Sequence, residues 1–187
     1  MSDAPAPTGA DVEVADDSTG TAVDAARWAE LARLSVAAVG VAEPWTLTLR
    51  FVDPAAMAEL NRDFMGADGP TDVLSFPIDG PEAVATGAAP APRPSSSTSG
   101  AAGSAGAPPS MLGDLVVCPE VAAANAADHA GSTDDELALL VVHGVLHLVG
   151  FDHATEAERV GMQARERDLL DRFHGPLAGD PWAGGRP

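Results

Sequence analysis

The chain has 187 residues, which suits one domain with some unstructured extra. Its net charge is −18, and all ten basic residues are arginine. Such a surface repels phosphate backbones unless its cations gather in one place, a mild argument against nucleic acid. A single cysteine, Cys118, excludes an internal disulfide and reads as a small buried hydrophobe. Met1 to Ala10 has neither a basic stretch nor an apolar run, so no signal peptide is expected. The longest apolar run, around Leu137 to Val149, falls short of the roughly 20 residues a bilayer requires. The expectation is a soluble, cytoplasmic protein with no membrane contact.

Residues 1–11 are expected to be a disordered, acidic tail. Val12 to Ala15 reads as a short first strand. Asp24 can cap a helix running to about Val39, with Trp28, Leu31, Ser35 and Ala38 on its core face. In Thr46 to Val52, Leu47, Leu49 and Phe51 alternate with Thr46, Thr48 and Arg50, the period of a half-buried strand. Asp53-Pro54 starts a helix whose apolar stripe is Met57, Leu60 and Phe64. Gly66 and Gly69-Pro70 end it, and Asp72 to Phe76 reads as another strand.

Between residues 80 and 110 nearly every position is Ala, Gly, Pro, Ser or Thr. Such a stretch buries too little surface to offset its ordering entropy, so it reads as a disordered insertion. Strand patterns flank it on both sides, the second at Asp114 to Val117, so it interrupts one domain of residues 12–174. Pro119 to Ala130 looks helical. Ser132 and Thr133 both begin capping boxes for a helix ending near Gly150, apolar on nearly every face and therefore central and buried. Thr155 and Glu158 cap a last helix to about Phe173, and residues 175–187 are expected to fray. The fold class is α+β: a small mixed sheet packed with about five helices.

The chemistry sits in His143-Gly-Val-Leu-His147-Leu-Val-Gly150-Phe-Asp-His153. His143 and His147 are four apart, so both rings leave the same helix face. Gly150 can take the left-handed conformation that reverses the chain and returns His153 to the same point. Burying three imidazoles without partners would cost several kcal/mol. Three neutral imidazoles fill three tetrahedral positions of one zinc ion and leave the fourth open, which is a catalytic layout. His129 and His174 lie in polar or tail contexts and carry no such pattern. Asp72 and Asp114, at strand edges, are candidates to orient the rings, and read equally as solvated or turn-capping residues. The spacing also fits the long zinc-peptidase signature, but its general-base Glu is here Gly144, which disfavours a peptidase. Gly144 clears space either for something beside the metal or for a closely packed strand.

The segment 143–153 resembles the signature of the YbeY family of bacterial endoribonucleases. Pro70-Thr-Asp-Val-Leu-Ser-Phe-Pro77, Leu112-Gly-Asp-Leu115 and Leu60-Asn61 resemble further family motifs, in the family's order. The resemblance covers roughly Val12 to Phe173 apart from the insertion. It implies a single α+β domain with zinc on His143, His147 and His153. It also implies cleavage of single-stranded RNA, in 16S rRNA 3′-end maturation and ribosome quality control. The implied partners are an rRNA precursor and the small ribosomal subunit or its assembly factors. Many members carry an Arg four residues after the Leu-Asn pair, where this chain has Met65. Arg62, one turn earlier, is the nearest cation and reads equally as an ordinary solvated residue. Two alternatives stand beside the ribonuclease: a zinc hydrolase of another substrate class, and a non-catalytic ribosome-assembly protein with a structural metal.

Overall fold

Trp45, Leu47, Leu49 and Phe51 are buried on one side of Trp45–Phe51, while Arg50 reaches solvent. That alternation makes this strand, β2, half-buried, and it lies between two others in the sheet. The computed structural model describes residues 9–78 and 109–183. Most of the expected insertion, and the outermost parts of both expected tails, lie outside the described residues. Four strands, β1 (Ala10–Asp16), β2, β3 (Val73–Pro77) and β4 (Ser110–Val117), form one sheet in the order β1-β2-β4-β3. β1, β2 and β4 run parallel, and β3 closes the edge antiparallel to β4, with Ser75 opposite Leu115. Two strand starts differ from the sequence reading by two residues or more. β1 begins at Ala10 because Ala10 and Asp11 pair with Trp45 and Thr46, and β4 begins at Ser110, inside the expected insertion.

Among the described residues, five α-helices cover this sheet: α1 (Ala25–Ala38), α2 (Pro54–Leu60), α3 (Pro119–Asn125), α4 (Thr133–Leu148) and α5 (Glu156–Phe173). The fold is therefore α+β with a mixed sheet, as the pattern of elements implied. The capping residues act as the sequence suggested. Asp24, Asp53 and Ser132 each accept a first-turn N–H, and Thr155 with Glu158 forms a full capping box. α4 is central: twelve of its sixteen residues are buried, among them Leu137 to Val142, Val145 and Leu146. It packs on α1, α3, α5, β3 and β4. Each fully buried Leu or Val there contributes roughly 1.5–3 kcal/mol.

A smaller core of Val52, Met57, Leu74, Val116 and Cys118 lies under α2. Burial raises the Cys118 thiol above its ordinary pKa, as suits a packed hydrophobe. The stripe expected on α2 breaks at its end. Asn61–Met65 form one π-helical turn, closed by Gly66 at φ 67°. The wider turn leaves Phe64 64% exposed, its ring edge-on to Phe76 with centroids 5.0 Å apart. Asn61 is buried instead, and its amide donates to the Gly69 carbonyl at 2.8 Å.

Candidate metal centre

α4 ends in the left-handed turn that the glycine suggested. Gly150 has φ 94°, its N–H donates to the His147 carbonyl, and the Phe151 N–H donates to the Leu146 carbonyl at 2.9 Å. These paired bonds make a Schellman motif, which satisfies the last carbonyls and folds the chain back. The returning segment brings His153 to His143 and His147. Ring centroids lie 4.6 Å (143–147), 5.0 Å (147–153) and 5.6 Å (143–153) apart. One nitrogen from each ring lies within 4.8 Å of the others, so the three can hold a metal ion. The Nε2 atoms of His143 and His147 are 3.1 Å apart. Two nitrogens on one tetrahedral ion at zinc bond lengths lie about 3.3 Å apart, so this donor set fits such an ion.

The ring of His143 is oriented from behind. Its Nδ1 lies 2.7 Å from Glu166 Oε1 on α5, so Nδ1–H donates to the carboxylate and Nε2 keeps its lone pair for a cation. The other carboxylate oxygen accepts from Trp182 Nε1–H at 2.8 Å. Glu166 is 4% exposed. Burial pushes its carboxyl up, but the bonds from His143 and Trp182 and the nearby imidazoles outweigh this and hold it below the usual value. His147 moves the other way from a charged state. Burial, then the neighbouring rings of His143 and His153, lower it from 6.5 to about 4. A ring that stays neutral at physiological pH has its lone pair free for a metal.

Neither aspartate offered as a ring-orienting group does that work. Asp72 accepts from Val73 N–H, Thr71 Oγ1 and Asn125 Nδ2, which fixes a strand end. Asp114 lines a groove with Glu13, Thr46 and Thr48, opposite Phe76 in the sheet. Sequence reasoning missed Glu166. Its signal was present: Met162, Glu166, Leu169 and Leu170 are the buried residues of α5 and fall at helical spacing, an acid inside an apolar stripe. Trp182 was missed because it stands in a Gly/Pro-rich stretch expected to fray.

Gly144 serves packing. A Cβ there would lie 2.1 Å from Leu115 Cδ1 and 3.1 Å from Ser75 Oγ, so β3 and β4 approach this turn of α4 too closely for a side chain. The Ser75 hydroxyl donates to the Gly144 carbonyl at 3.3 Å. The open side of the centre is a groove of about 490 Å³ lined by His143, His147, Met65, Ser75, Pro77 and Asp152. A second cavity, about 350 Å³, is lined by His143, His153, Arg159, Gln163 and Trp182 among others. Arg62 pairs with Asp63 at 3.2 Å in solvent, so it remains a surface residue.

His129 and His174 are structural. His129 Nδ1 lies 2.9 Å from Glu136, and His174 Nε2 lies 2.8 Å from Asp135. No helix among the described residues is long and apolar enough to cross a membrane.

A family model described as Endoribonuclease YbeY matches residues 13–174. A protein of that name from Salinispora tropica is 45% identical over 165 residues, 85% of this chain and 93% of its own. Those from Mycolicibacterium gilvum and Mycobacterium tuberculosis are 41% and 42% identical over 162 residues, 87% of this chain and 82% of theirs. A Thermotoga maritima protein solved in solution matches at TM-score 0.52 and 20% identity, over 94% of this chain and 99% of its own. That likeness bears on the fold alone. With most of its length matched, including the helix and turn that gather the three histidines, the chain belongs to the Endoribonuclease YbeY family.

Proposed function

We propose that this chain is a zinc-dependent endoribonuclease that cuts single-stranded RNA, acting in the cytoplasm on the 3′ end of 16S rRNA and in ribosome quality control. The observation that carries the reading is the meeting of three imidazole nitrogens within 4.8 Å, two of them from rings that line an open groove. Family membership supplies the substrate class, because the relatives are named as endoribonucleases. We take the partners to be an rRNA precursor and the small ribosomal subunit or its assembly factors, as the motif resemblance implies.

His143, His147 and His153 would hold one zinc ion. The chemistry such an ion supplies is Lewis acidity, which offsets charge on a phosphate oxygen and makes water acidic enough to react near neutral pH. Glu166 keeps the His143 proton on Nδ1, so that Nε2 can bind. Ser75 and Met65 line the groove that would take the RNA strand. Arg159 lines the cavity shared by His143 and His153, and it is the cation we assign to the phosphate in place of the family arginine that Met65 replaces. Its guanidinium pairs with Glu156, a solvent-exposed carboxylate that a phosphate would displace. Gly144 speaks against the peptidase alternative, because the position has no room for the general-base Glu that mechanism uses.

The test is cleavage of an rRNA precursor by the full chain. Cleavage should stop with a chelator, return with zinc, and fall at least about 10-fold in Arg159→Ala, the scale of a lost charged contact. Cleavage that persists after complete metal removal rejects the proposal.

A further inference from the structure

The segment after α5 lies beyond residue 174, where the family match ends, yet it reaches the back of the metal centre. It is tied down on the way. The Ala178 N–H donates to Asp135 Oδ2 at 3.2 Å, and the Gly179 N–H donates to the Ala130 carbonyl at 2.7 Å. Two backbones touch at this crossing. A Cβ on Gly179 would lie 2.4 Å from the His129 carbonyl oxygen, and one on Gly131 would lie 2.6 Å from the Gly179 nitrogen. Asp180 then turns the chain, its Oδ1 accepting the Trp182 N–H at 3.1 Å. The Trp182 ring ends under the Arg167 guanidinium, 4.2 Å from its centroid, with the indole N–H on Glu166.

A carboxylate held through one oxygen can still rotate about its last bond. Glu166 is held through both, by His143 on Oε1 and by Trp182 on Oε2. Without the indole, a nearly buried oxygen would lack its donor, and the carboxylate would turn toward another. We infer that Trp182 is a positioning residue of the metal centre: it locks the Glu166 carboxylate, and the carboxylate locks the ring and tautomer of His143. The inference rests on the proposed metal reading of the histidine cluster. A purely packing role for Trp182 differs in one respect, because it depends on the ring and not on the N–H.

The test is zinc affinity of the full chain, measured by competition with a chromophoric chelator. Trp182→Phe keeps a ring under Arg167 and removes the N–H. It should bind zinc about 10-fold more weakly, the scale seen when a group supporting a metal ligand is lost. Its metal-free melting temperature should fall by a few degrees for the lost hydrogen bond, and the weaker binding appears separately as a smaller zinc-induced rise. In a Glu166→Gln background, Trp182→Phe should add nothing further. Unchanged affinity in the single variant, or a full further loss in the double variant, overturns the inference. A second measurement needs no substitution. In protein labelled with fluorotryptophan, zinc should shift the fluorine resonance of Trp182 and leave those of Trp28 and Trp45, both in the core, in place. A Trp182 signal that stays fixed at saturation also overturns it. Wild-type protein that binds no zinc sinks the metal reading itself, a result distinct from zinc binding that ignores Trp182.

Discussion

At the first turn of α4, Asp135 and Glu136 each hold a histidine, His174 at 2.8 Å and His129 at 2.9 Å. Toward its last turn, His143, His147 and the returning His153 meet one another, and Glu166 holds the His143 ring. Burial pushes the Asp135 carboxyl up, but the bonds from His174, Ser132 and Ala178 more than offset it and hold it below the usual value. There each acid and its histidine satisfy one another by hydrogen bonding. At the other end, three rings crowd one another and His147 is forced toward its neutral form. The same helix thus carries two histidines that each pair with an acid of its first turn, and three others that crowd one point where the proposed cation would sit.

The contrast breaks most visibly if the two kinds of histidine are exchanged as targets. His147→Ala should abolish zinc binding and lower RNA cleavage by more than about 100-fold, beyond the range of supporting residues. His174→Ala should keep zinc and cleavage but lose about 2 kcal/mol of stability in urea, because Asp135 forfeits a charged hydrogen bond. Comparable zinc loss in both variants would erase the distinction. A smaller effect is expected at Gly144→Ala. Overpacking against Leu115 should outweigh the gain in helix propensity by about 1 kcal/mol, read as a lower urea midpoint.

A pH series sharpens the comparison further. The folded value of His147, about 4, lies below its ordinary 6.5. As the pH falls from about 6.5 toward 4, the unfolded chain takes up a proton that the folded ring refuses, so metal-free stability must decline over that window. His147→Gln should flatten the decline, and equal slopes would contradict the assigned burial. Smallest of all is Arg27→Ala. It removes the exposed pair with Asp134 at the first turn of α4 and should change stability by less than about 1 kcal/mol.

Much of this was legible before any coordinates. Helix starts were readable because Asp24, Asp53, Ser132 and Thr155 are residue types whose side chains replace missing backbone partners. β2 was readable because one of its faces is buried and the other is not. The grouping of three histidines followed from helical spacing and one left-handed glycine. What the sequence left dark depends on contacts between distant segments. Glu166 meets His143 across 23 residues, and its helix is crowded with other acids that face solvent. The π-helical turn at Asn61–Met65 has no period of its own, so Phe64 was assigned to the core and lies outside it. The C-terminal stretch reads as loose by composition, yet Ala178, Gly179 and Trp182 all find donors or acceptors on the body.

The outer place of β3 carries one more consequence. Only its β4 side has a strand partner among the described residues, and its Val73, Leu74, Ser75 and Pro77 line the groove beside the imidazoles. A strand of five residues ending in a proline is a poor template for another copy of the chain to extend, which limits stitching of molecules edge to edge.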